Sequence, residues 1–160
     1  MKITRIAAAS LFAASLALAA CGSEPEPATE SAPAGIPGLT VENARVVLPP
    51  VAGNPAAVYF DLSYEGDRGL SIRRADVAGA ESAQLHNYSE WQGQKQMGEA
   101  MPIALTKGTK VAFEPGGYHV MVFGLPDTVE PGGTLEVTLT VSGGDKYSFE
   151  APVRAAGDER

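Results

Sequence analysis

Ala57-Val58-Tyr59-Phe60-Asp61-Leu62-Ser63-Tyr64 carries Val, Phe, Leu and Tyr at every second position, with Ala, Tyr, Asp and Ser between them. A period of two belongs to a strand with one face in a core, because successive side chains of a strand point to opposite sides. The same alternation recurs in Leu135, Val137, Leu139 and Val141, and in Tyr147, Phe149, Ala151 and Val153. Val41 to Leu48, Leu70 to Val77, Ser82 to Tyr88, Thr109 to Glu114 and Tyr118 to Gly124 also read as strands. Turn residues separate them: Pro49-Pro50, Glu65-Gly66-Asp67, Glu114-Pro115-Gly116-Gly117, Pro131-Gly132-Gly133 and Ser142-Gly143-Gly144-Asp145. No stretch has the 3.6-residue period of an amphipathic helix. About eight short strands at this spacing predict an all-β fold, an antiparallel sandwich or barrel.

Ahead of the strands lies a segment of another kind. Lys2 and Arg5 precede the apolar run Ile6 to Ala20, which is shorter than the roughly 20 residues a membrane-spanning helix needs. It reads as a signal peptide, residues 1–20. Leu18-Ala19-Ala20-Cys21 resembles a bacterial lipobox, in which the cysteine is acylated after cleavage. Several acyl chains hold a protein on a membrane far better than one. Gly22 after the cysteine favours the outer membrane over the inner one, on the periplasmic face. Residues 21–38, rich in Pro, Glu, Ala and Ser, cannot bury enough apolar surface to offset the entropy of ordering and are expected to be a tether. One domain is expected over residues 39–154, with a short tail at 155–160.

Removing the signal leaves ten basic against 19 acidic residues. Such a balance argues against nucleic acid, since nothing would neutralise phosphates. With Cys21 lipidated, no thiol remains for a disulfide, a redox pair or a thiolate–metal bond.

The chemistry is concentrated in one segment. The chain has two histidines, His86 and His119, and beyond the initiator three methionines, Met97, Met101 and Met121. All five fall within residues 86–121. His119 and Met121 are two apart in Tyr118-His-Val-Met-Val-Phe-Gly124, so imidazole and thioether share a side while Tyr118, Val120 and Val122 face the core. His86 likewise faces away from Ala83 and Leu85. A lone histidine on a strand is ordinarily a surface or hydrogen-bonded residue, and a lone methionine is ordinarily a gap-filler. Together they make a two-histidine, two-methionine set. Thioether sulfur is soft and uncharged, a poor partner for Zn²⁺, Ca²⁺ or Mg²⁺ and a good one for Cu(I).

Here the sequence resembles the periplasmic copper chaperones of the PCu(A)C type. Their signature is a histidine, ten residues, a methionine, 21 residues, a histidine, one residue and a methionine. His86, Met97, His119 and Met121 have that spacing. Pro115-Gly116-Gly117-Tyr118-His119-Val120-Met121, Ala56-Ala57-Val58-Tyr59-Phe60 and Ala151-Pro152-Val153 are similar to stretches of the family. The resemblance spans residues 39–154. It implies a cupredoxin-like β-sandwich binding one Cu(I), and delivery of that ion to the copper-accepting subunit of cytochrome c oxidase, alone or with a Sco-type assembly protein. A monomer held at the membrane by its lipid is expected. Two departures stand out: Asn87 and Tyr88 occupy positions where the family often has an acidic residue and a methionine, and the His- and Met-rich tail of some members is missing.

The same ligands would serve a lipoprotein that buffers or sequesters copper without delivering it. A blue-copper electron carrier requires a thiolate on the metal, and an enzyme would need an activated nucleophile that no motif here supplies, so no catalytic activity is expected. Two readings stay open. Trp91 is either a lid over the metal or an aromatic packed on a strand. Met101, which precedes Pro102, competes with Met97 for the middle ligand; spacing favours Met97.

Overall fold

Strand β2 (Ala56–Tyr64) pairs along both edges and organises the fold. In the computed structural model, which describes residues 35–158, Ala56, Val58, Phe60, Leu62 and Tyr64 are all buried. One edge of β2 meets β1 (Leu39–Val47) in antiparallel register. The other is shared by β7 (Thr109–Phe113) and β8 (His119–Phe123). On its far side β8 pairs with β4 (Ser82–Trp91), which folds back as β5 (Gln94–Glu99). The second half of the sheet comprises β10 (Lys146–Arg154), β9 (Thr134–Val141), β3 (Leu70–Val77) and β6 (Ile103–Leu105). The overall order is β5-β4-β8-β2-β1-β10-β9-β3-β6.

The two halves bury a common core. Phe60 of β2 stacks on Phe113 with ring centroids 4.0 Å apart and meets Phe149 of β10 at 5.1 Å. Val137, Leu139 and Val141 enter the same core from β9, and Ile72, Ala75 and Val77 from β3. The all-β fold expected from the alternation is therefore present. One ladder differs from a purely antiparallel sheet: β1 and β10 run parallel at the seam, through Val46–Val153 and Val47–Arg154. Two strands, β5 and β6, were not marked by the alternation. β5 is polar and exposed along its whole length, so it has no buried face to leave a period, and β6 has only three residues.

Residues 1–34 and 159–160, which include the expected signal, Cys21 and most of the expected tether, lie outside the described residues. The last part of the expected tether is not extraneous to the fold. Ile36 is buried in the core, and its carbonyl accepts a hydrogen bond from the Leu39 amide. At Gly38, φ is +82° and an added Cβ would lie 2.4 Å from the Gly66 nitrogen, so a side chain there meets backbone as well as strain. Tyr64, buried beside this turn, donates from its hydroxyl to the Arg68 carbonyl at 2.5 Å.

The aromatic core makes a direct stability test. Phe60→Ala removes a ring stacked on Phe113 and is expected to cost about 3–5 kcal/mol. Trp91→Ala, on an exposed side chain, is expected to change stability by no more than about 0.5 kcal/mol. Urea unfolding followed by far-UV circular dichroism reads both.

Candidate metal centre

Between β7 and β8 the chain leaves the edge of β2 and returns. Phe113 pairs with Phe60, and Val120 with Val58. The register shifts by five residues, so 114–118 are looped out and His119 takes the place beside Tyr59 that residue 114 would otherwise hold. The loop is closed by the Glu114 amide on the Tyr118 carbonyl, 2.8 Å, and the Gly117 amide on the Glu114 carbonyl, 3.0 Å. Gly116, at φ +84°, supplies the left-handed residue that closure requires. Pro115-Gly116-Gly117 is thus the device that seats His119.

Once seated, His119 is directly opposite His86 on β4. The two ring centroids are 5.7 Å apart. A continuous row of outward side chains crosses the sheet here. Arg45 of β1 pairs with Tyr59, Tyr59 lies 6.4 Å from His119 centroid to centroid, and His86 pairs with Glu99 of β5. The Arg45 guanidinium sits 5.1 Å from the Tyr59 ring centroid, a cation–π contact.

The methionines flank this row. Met121 is two residues along β8 from His119 and pairs with Gln84. Met97 pairs with Tyr88, two residues beyond His86. Both are diagonal neighbours of His86, within the roughly 7–8 Å that long side chains bridge across a ladder. His86 is therefore the one residue adjacent to all three others. Met97 and Met121 lie on opposite flanks of it, about 13 Å apart along the strand direction alone, and meet only by reaching inward over the histidines. Met101 follows Ala100, whose amide donates to the Leu85 carbonyl at 2.8 Å. Continuing that register places Met101 in the row of Gln84 and Met121, beyond the end of β5. Its side chain is 83% exposed, against 44% for Met97.

The imidazoles are set up differently. His119 is 5% exposed even though it points away from the core, and it is the one buried polar residue among those described. Its Nδ1 lies 3.0 Å from the Gly117 carbonyl, a hydrogen bond that only a protonated Nδ1 can donate. In the neutral ring Nε2 then keeps its lone pair. His86 Nε2 lies 3.1 Å from Gln84 Oε1, and His86 Nδ1 is buried with no hydrogen-bond partner. Each ring thus presents one nitrogen not committed to a hydrogen bond. No group of three His, Cys, Asp or Glu side chains converges among the described residues, so the outward face offers soft and borderline donors rather than an oxygen cage.

Four residues near the histidines were not among the candidate site residues of the sequence. Gln84 orients His86, Glu99 stands opposite it, and Tyr59 and Tyr88 cover His119, Tyr88 at a centroid distance of 5.8 Å. Their common signal is positional: each falls on the outward parity of its strand. Trp91 does not fit the reading as a lid. It lies at the end of β4, on the parity opposite to His86, and is 65% exposed. It neither covers the histidines nor packs into the core. The turn beyond it, Gln92-Gly93, has φ values of +52° and +73°, as a tight two-residue hairpin requires.

The fold is that of the PCuAC-type β-sandwich domains. The apo PCuAC domain from PmoF1 superposes with a TM-score of 0.62 at 22% identity, over 77% of this chain and 98% of that domain. The copper-bound PCuAC domain from PmoF2 gives 0.61 at 20% identity, over 77% and 97%. Apo-DR1885 from Deinococcus radiodurans gives 0.61 at 22% identity, over 93% and 100%. Residues 39–153 match the family described as "Putative lipoprotein LpqE-like", and the chain belongs to that family. A relative from Leifsonia xyli subsp. xyli, "Putative lipoprotein Lxx21020", is 30% identical over 99 residues; the match covers 61% of this chain and 60% of that protein.

Burial, then the neighbouring His119, lowers the His86 pKa from its ordinary 6.5, with Glu99 opposing. The folded state therefore binds this proton less readily than the unfolded chain. Stability is unaffected above about pH 6.5, falls as the pH drops below it, and levels off below the lowered folded value. Stability curves of wild type and His86→Gln are expected to diverge from each other as the pH is lowered from 7.5 to 5, with wild type losing more. Parallel curves would show that His86 is not held neutral by its surroundings.

Proposed function

We propose that the chain is an extracytoplasmic Cu(I)-binding lipoprotein that carries one ion between His86, Met97, His119 and Met121 and delivers it to the copper centre of cytochrome c oxidase. The supporting observation is the pair of facing imidazoles, each with an uncommitted nitrogen, bordered on both flanks by a thioether. Thioethers favour Cu(I) over hard or borderline divalent ions. Four neutral donors leave the bound ion its single positive charge, so the ion is held without the counter-charge that would make it hard to release. The structures that share the fold include a copper-bound PCuAC domain from PmoF2 and CuI-DR1885 from Deinococcus radiodurans. The family's lipoprotein description accords with acylation of Cys21 and a place on the periplasmic face of a bacterial membrane. Nothing in the arrangement calls for catalysis.

Ion and ligands are tested together by competition with a coloured Cu(I) chelator. One Cu(I) per chain is expected, and Zn²⁺ is expected to bind far more weakly. His119→Ala and Met121→Leu are expected to weaken Cu(I) by more than the roughly 10–100-fold that losing a supporting hydrogen bond costs. Met97→Leu should weaken it more than Met101→Leu, since leucine keeps the volume and deletes the sulfur; the reverse order would move the third ligand to Met101. Zinc held as tightly as copper would refute the assignment.

Complementation of a deletion strain separates delivery from buffering. Loss of the gene should lower oxidase activity, and wild type or excess copper should restore it, whereas Met121→Leu should not. A buffering protein would leave oxidase activity intact and change copper tolerance instead. In the same strain Cys21→Ala is expected to leave the membrane fraction, because the acyl chains supply the membrane affinity.

A further inference from the structure

His119 points away from the core yet is almost completely shielded from water, so something on the outer face covers it. Three rings do: His86 at 5.7 Å, Tyr88 at 5.8 Å and Tyr59 at 6.4 Å, all centroid to centroid. They are not held alike. Tyr59 is in the middle of β2, paired with Arg45 on one side and under its guanidinium. His86 is in the middle of β4, paired with His119 and Glu99. Tyr88 stands one row farther out. The ladder between β4 and β8 ends at the His86–His119 pair, because β8 begins at His119, so Tyr88 is carried by the two-stranded hairpin alone. Its one paired neighbour is Met97 on β5, a strand exposed throughout. Tyr88 itself is 38% exposed, and its ring is inclined at 37° to the His119 ring.

A ring resting on a buried imidazole, anchored on a projecting hairpin and paired with one of the proposed thioether donors, is placed to uncover that imidazole by a rotamer change. Tyr59 is held under the Arg45 guanidinium and His86 by its hydrogen bond to Gln84, contacts that a rotamer change would break. We infer that Tyr88 is the movable cover of the site: it closes over His119 and sets the rate at which the Nε2 side of that histidine exchanges its cargo with chelators or a receiving protein. The inference rests on the copper-carrier reading above. It assigns Tyr88 a positioning role and no bond to the metal. Tyr88 meets His119 ring to ring, so the ring and not the hydroxyl is the working part.

The test uses the full-length mature chain and two variants, Tyr88→Ala and Tyr88→Phe, with circular dichroism to confirm that each folds. In the metal-free protein, diethyl pyrocarbonate modifies accessible imidazoles. With only two histidines in the chain, peptide mapping assigns the rate at each. Tyr88→Ala is expected to speed modification of His119 by about fivefold, the scale of losing one aromatic contact, and Tyr88→Phe to leave it at the wild-type rate. In Cu(I)-loaded protein, Tyr88→Ala is expected to speed extraction by bathocuproine disulfonate by a similar factor, with the stoichiometry still one ion per chain. An unchanged His119 modification rate, an unchanged extraction rate, or a Tyr88→Phe variant that behaves like Tyr88→Ala would each overturn the proposal. Wild type that takes up no Cu(I) would instead refute the copper reading itself, and the cover's role in exchange with it.

Discussion

The site exists because one strand edge is interrupted. β7 and β8 are two halves of a single partner for β2, separated by the five looped-out residues 114–118. Without the loop the partner strand would run on past Phe113 and put Glu114 beside Tyr59. With it, a histidine arrives at that point with a fresh register and an unpaired far edge, which β4 then takes up. The facing histidines, the outward thioethers and the projecting β4–β5 hairpin all follow from that one shift. Its cost is small, because Gly116 accepts the left-handed conformation and two backbone hydrogen bonds close the turn.

The core and the site use opposite faces of the same strands. On β8, Val120 and Val122 are buried while His119 and Met121 point outward; on β4, Leu85 is buried while Gln84 and His86 point outward. A change of donor therefore leaves the apolar packing of the sandwich in place, and a change in the core reaches the site only through backbone position. His119 is the exception, since its burial under aromatic rings ties it to packing on the outer face as well. The hydrogen bond from Nδ1 to the Gly117 carbonyl leaves Nε2 as the nitrogen with the lone pair in the neutral ring.

Much of this was legible from the residues. Period-two alternation, with the turn residues between segments, marked eight of the ten strands among the described residues, those that put side chains into the core. It missed β5, whose Gln-Lys-Gln-Met-Gly-Glu faces solvent on both sides, and β6, which is too short to show a period. The boundary before Leu39 was set by composition, which has no means of registering a single buried Ile36. The spacing of His and Met singled out the residues that the sheet gathers around His86, but spacing carries no register. It could not show that His86 and His119 are opposed, that Met97 and Met121 flank them from opposite sides, or that Tyr88 lies over His119 while Trp91 points the other way.

β5 has one more consequence. It ends the sheet on one side, and β6 ends it on the other, so each leaves a row of backbone donors and acceptors open to another chain. Open edges of this kind template strand-to-strand association and aggregation. Here one edge is a polar strand bearing Lys95 and Glu99 on a free hairpin, and the other is three residues long and follows Pro102, which has no amide hydrogen to donate. Neither of these two ends offers a long apolar edge along which molecules packed side by side at high density could zip.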